Sequence, residues 1–238
     1  MLLSYTYSKL IDDVLPSDTY SGFPGENFSA GYIQDSYNRR ADRSVANFDT
    51  PNYLTVNSNW ELPFGKGKAF VNGGGWSNAL IGGWQLNGIF NMHSGSPLGL
   101  TTQSNTLNNY SAYGWASNVE RPSYIGGPVS TTGSVSSRLN DYFNINAFQI
   151  PAPFTYGNTG RLMPYLRGPG AILLDVSLFK EIPIRERLHI QFRAEVFNVL
   201  NHPQFDNPNT VIGSPQAGVI SNQVNTPRDM QLALKLIF

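Results

Sequence analysis

The last eleven residues, Arg228 to Phe238, read RDMQLALKLIF and place every large apolar side chain at an even position. Met230, Leu232, Leu234, Leu236 and Phe238 alternate there with Asp229, Gln231, Ala233 and Lys235. Successive side chains of an extended backbone point to opposite faces, so this stretch predicts a strand with one apolar and one polar side. Its length matches the roughly 9–11 residues with which a tilted strand crosses a bilayer. The medium against the apolar side is then either a second protein layer or lipid.

The same phase recurs upstream. Between Arg187 and Leu200, Leu188, Ile190, Phe192, Ala194 and Val196 alternate with Arg187, His189, Gln191, Arg193 and Glu195. Before them, Ile172, Leu174, Val176 and Leu178 alternate with Asp175 and Ser177. Further strands are predicted at 2–10, at 51–64 and from Trp84 to near Leu100, with a turn at 181–186 and a final strand from Arg228. A soluble sandwich turns its polar face to bulk water, whereas an outer-membrane barrel turns it to the lumen, and alternation alone does not choose between them.

The connections do distinguish the two. Residues 11–48, 101–170 and 201–227 are long polar stretches of the sort that carry function or move, while Gly65-Lys66-Gly67-Lys68 and the turn near 181–186 belong to short connections. Long and short therefore alternate, which puts every long loop of an up-and-down sheet on one side. Outer-membrane barrels have this asymmetry, and a Greek-key sandwich has no reason for it. With the short turns periplasmic, Phe238, Trp60, Phe64 and Trp84 fall at the periplasmic rim, where an aromatic belt belongs.

Composition agrees. Charged residues make up 13% of the chain, against roughly 25% in soluble domains. Net charge is zero, so nothing electrostatic points to nucleic acid, and without cysteine there is neither a disulfide framework nor a thiolate metal site. No run of about 18 apolar residues suggests a transmembrane helix, which says nothing against strands. The N-terminus, MLLSYTYSKLIDD, lacks a secretion signal, so the expectation is that the true start lies upstream.

The residues also resemble a known family. RAEVFNVLNHPQFDNPNT from Arg193, the terminal PRDMQLALKLIF, WELPFGKGK at Trp60–Lys68, GGWQLNGIF at Gly82–Phe90, FNINAFQIPAP at Phe143–Pro153, GNTGR at Gly157–Arg161, RGPG at Arg167–Gly170 and DVSLFKEIPI at Asp175–Ile184 follow one order. In that order they are similar to the C-terminal part of TonB-dependent outer-membrane receptors of the Oar-like group, which carries a carboxypeptidase-regulatory-like domain. The resemblance implies a barrel of about 22 strands closed by a plug and energised through TonB. Residues 1–238 would supply about its last six strands, an open all-β antiparallel fragment without plug or TonB box. Transport of a large nutrient, whether oligosaccharide, peptide or metal chelate, would belong to the parent protein in the outer membrane. The alternatives are a structural or adhesive surface protein that binds a partner through its long loops, and a soluble all-β binding module.

Three sets of candidate residues follow. Met230, Leu232, Leu234, Leu236 and Phe238 resemble the signal read by the barrel-assembly machinery, since an apolar last strand can add to another sheet edge. Arg187, His189, Gln191, Arg193 and Glu195 would form a polar row facing the lumen. Asn109, Tyr110 and Tyr113 are candidate ligand contacts, their rings and amides suiting a sugar. His93, His189 and His202 lack metal-ligand spacing, and Asp12 and Asp13 read as turn caps. The glycines at 73–75 and 82–83 have no predicted helix after them to present amides to phosphate. No nucleophile elbow or phosphate loop is found, so neither catalysis nor a cofactor is expected.

Overall fold

A computed structural model describes residues 1–13, 33–35, 37–72, 75–107, 120–185 and 188–238. Alternation produces six principal strands: β1 (Leu2–Tyr7), β2 (Asn52–Glu61), β3 (Trp84–His93), β4 (Ala171–Arg185), β5 (Leu188–Phe197) and β6 (Asp229–Ile237). They form one antiparallel sheet in sequence order, with β1 and β6 at its two edges. Tyr7 pairs with Asn52, His93 with Ala171 and Phe197 with Asp229 at one end, so all three long connections leave from that end. The connection from β2 to β3 and the short one from β4 to β5 belong to the other.

The register keeps the two faces separate across the whole sheet. Leu54 lies opposite Met92, Val56 opposite Phe90 and Trp60 opposite Leu86. Leu174 lies opposite Phe90, Leu178 opposite Leu86 and Ala194, and Ile190 and Phe192 opposite Leu236 and Leu234. A shift of one residue would move all of them to the polar face, so these rows fix the pairing. No buried hydrophobic belongs to the sheet among the described residues.

The dry core lies instead in the long connections. Leu98, Leu100, Phe143, Ala147, Phe148, Met163, Leu166 and Ile212 pack together there, with Phe143 and Phe148 edge to face at 6.1 Å. Two-residue pairings stitch this cap: Ile11–Asp12 with Ser44–Val45, Pro97–Leu98 with Met163 and Arg167, Ser123–Tyr124 with Phe148–Gln149, and Thr101–Thr102 in parallel with Val211–Ile212. The long polar stretches are thus folded together, although nothing periodic in them announces it.

Several boundaries differ from expectation. The strand expected to run to Leu100 ends at His93, because Pro97–Leu98 pairs with the segment at Met163–Arg167 instead. The predicted turn at 181–186 is strand as far as Arg185, with a register shift between Pro183 and Arg185 that accommodates the missing proline N–H. The glycines at 73–75 are followed by a helix after all, α1 (Trp76–Ile81), because Gly75 takes a φ of 88° at its start and Asn78 accepts the amide of Gly82 at its end. At six residues α1 is too short to build a phosphate site. A second short helix, α2 (Val135–Asn140), is capped by Ser134, whose hydroxyl accepts the Ser137 amide.

Candidate functional surfaces

Three surfaces follow from this arrangement. On the first, the apolar side of the sheet, no hydrophobic side chain is buried among the described residues. Met230, Leu232 and Leu234 are 71%, 71% and 72% exposed and Phe238 is 94% exposed, at the free edge formed by β6. Such a continuous area in water would be an aggregation surface. One charge interrupts it among the paired residues, Lys180, placed near the short-turn end. The residue is buried, and its ammonium donates to the Gly82 carbonyl and sits 5.0 Å from the centre of the Trp84 ring, so the charge is held by a carbonyl and an aromatic face near the short-turn end. Trp60 is exposed near the same rim, and Phe64 and Phe70 pack at 5.8 Å beside it.

The second surface is the opposite side. His189, Gln191, Arg193 and Glu195 do line up on one face of β5, opposite Pro183, Glu181, Phe179 and Ser177 of β4. The Gln191 amide donates to Glu181 at 3.4 Å, and Gln231 donates to Glu195 at 3.0 Å. Arg193 lies 4.5 Å from the Phe179 ring centre. The ladder continues through Gln85, which donates to Asn59 at 2.6 Å, and Thr55, which donates to Asn91 at 3.0 Å. Arg187 lies outside the described residues.

The third surface is the cap. Three ion pairs hold its connections to one another: Arg121 with Asp42, Arg161 with Asp12, and Arg167 with Asp49. Asp12 is therefore a partner of Arg161 and not a turn cap, because its strand pairs with Ser44–Val45 and turns the carboxylate toward the second connection. Burial pulls the Arg121 guanidinium below its ordinary pKa; the hydrogen bond and charge of Asp42 oppose that shift, and the nearby Arg161 charge adds to it.

Where the cap meets the sheet, a cleft of about 580 Å³ opens, lined by Asn47, Phe48, His93, Gln204, Phe205 and Asp206 among others. Glycine is required at its floor. A Cβ on Gly95 would collide with the Gly168 carbonyl, and one on Gly170 would collide with that of His93. Arg167 locks the same place by donating to the carbonyls of Asp49 at 2.7 Å and Gly95 at 3.1 Å. Sequence reasoning did not find this cleft, whose walls come from all three connections; RGPG at Arg167–Gly170 was its one local mark. The expected contacts Asn109, Tyr110 and Tyr113 lie outside the described residues. Among the described residues no three His, Cys, Asp or Glu side chains converge.

A family model described as "Outer membrane beta barrel domain" matches residues 1–231. No curated protein and no solved structure matches the chain.

Proposed function

This chain belongs to the outer membrane beta barrel domain family and is placed by it in the outer membrane, and on that premise we propose that it is an arc of the wall of a TonB-dependent receptor whose parent protein imports a large nutrient. The observation that carries this reading is the pairing of an uncovered apolar face with a hydrogen-bonded polar face beneath a folded cap. The apolar face meets lipid. The polar ladder meets a wide lumen filled by water or a plug, since a barrel of about eight strands would fill its interior with side chains of its own.

Six strands do not close such a lumen, so the plug and the TonB contact belong to the rest of the parent receptor. The uncovered row from Met230 to Phe238 is the signal for the barrel-assembly machinery. The test is energised uptake. Cells carrying the parent protein should lose uptake of its nutrient when TonB is removed or the proton gradient is collapsed, and uptake indifferent to both would overturn the reading. A surface-adhesion role draws support from Phe154, Tyr156 and Tyr165, which are exposed on the cap; it predicts cell attachment that needs neither TonB nor a gradient.

A further inference from the structure

The cleft between cap and wall has a lining specific enough to name a ligand class, and we propose that it binds a neutral saccharide. The inference rests on the import reading and narrows it to one of its three nutrient classes. Two aromatic side chains, Phe48 and Phe205, supply flat apolar faces of the kind that stack on the C–H side of a sugar ring. Around them are polar groups with capacity to spare. The Asn47 and Gln204 side-chain amides make no hydrogen bond to the described residues. Asp206 uses Oδ1 to accept the Asn207 amide at 2.7 Å, which leaves Oδ2 for a hydroxyl. His93 Nδ1 lies 3.0 Å from the Ser94 carbonyl, which can only accept, so Nδ1 donates there and Nε2 is left for a hydroxyl. The ring is fixed by stacking on Tyr53 at 5.7 Å with 5° between planes.

Charge decides against the other classes. Among the described residues neither Lys nor Arg lines the cleft, so an anionic chelate or a phosphate would meet Asp206 with no counter-charge from them. Arg167, the cation at its root, is taken by Asp49. A free peptide needs a cation for its carboxylate, and the described lining offers no Lys or Arg for it. An uncharged polyol with alternating C–H faces and hydroxyls matches donors, acceptors and rings together, and about 580 Å³ lies within the range of small-ligand sites.

The test uses the whole chain folded in detergent micelles or lipid nanodiscs. It is titrated with oligosaccharides derived from starch, cellulose, xylan and mannan, and in parallel with sialylated and sulfated glycans. At least one neutral oligosaccharide should bind, and Phe205→Ala, Phe48→Ala and Asp206→Asn should each weaken it about tenfold or more. Each variant is first checked for unchanged circular dichroism and unchanged heat-shifted migration on gels. Folded protein that binds no neutral glycan, binds one equally well in all three variants, or prefers the acidic glycans overturns the proposal. Uptake by cells is measured separately. Binding retained without TonB-dependent uptake removes the transport reading and leaves the cleft, whereas uptake retained in variants that no longer bind removes the cleft and leaves transport.

Discussion

Asp49 is 2% exposed and holds several segments at once: it accepts the Leu10 amide at 2.6 Å and pairs with Arg167, which in turn binds the Gly95 carbonyl. Asp49→Asn keeps the shape and removes the charge, leaving a half-buried guanidinium unpaired. The expected cost is about 3 kcal/mol of cap stability, read as faster amide exchange at Leu10 and Gly168 with exchange in β4 and β5 unchanged. A second residue-scale prediction separates the two sides of the sheet. Leu234→Arg puts a charge on the uncovered face midway along β6 and should cost about 2–4 kcal/mol in urea unfolding from lipid vesicles. Gln231→Arg, on the polar face beside Glu195, should change the same measurement by less than about 1 kcal/mol. Equal costs at the two positions would refute the assignment of faces. Lys180 shows how a charge survives on the apolar side: its position near the rim lets the ammonium reach a carbonyl, which Leu234, two strands away and mid-span, has no means to do.

At the scale of elements, β6 is bound on one side and open on the other, with Phe238 beyond its last paired residue. Removing Phe238 should lower the amount of protein recovered in the outer membrane several-fold while leaving synthesis unchanged, as judged by membrane fractionation of pulse-labelled cells. Undiminished recovery would show that the terminal row is not the assembly signal. All six strands were legible from residues, because period-two alternation over ten positions, as in β2, β3 and β5, is a signal that no competing local preference cancels. The end of β4 was misplaced because Pro183 reads as a stop, while the structure absorbs it in a register shift. The cap was not legible. Leu98, Phe143, Phe148 and Ile212 reach one core from pairings of two residues or fewer, too short to leave a period. The cleft inherits that difficulty, since Phe48, His93 and Phe205 become neighbours only after the cap has folded.

The whole molecule uses two different solvents for its apolar surface. The cap has a hydrophobic cluster buried in protein, and the wall, whose described residues include no buried hydrophobic, leaves its own for lipid. In plain buffer the purified chain should therefore self-associate through the wall and its two open edges, and run as a single species when detergent is supplied, by size-exclusion chromatography. A monodisperse species in buffer alone would contradict the lipid-facing assignment. One consequence concerns parity. The sheet holds an even number of strands in strict up-and-down order, so β1 and β6 point in opposite directions, and the start of β1 and the finish of β6 both face the short-turn end. An arc that completes the ring with antiparallel pairing along both β1 and β6 therefore contains an even number of strands itself. Closure of that kind keeps the folded cap on one rim of the ring and the short connections on the other.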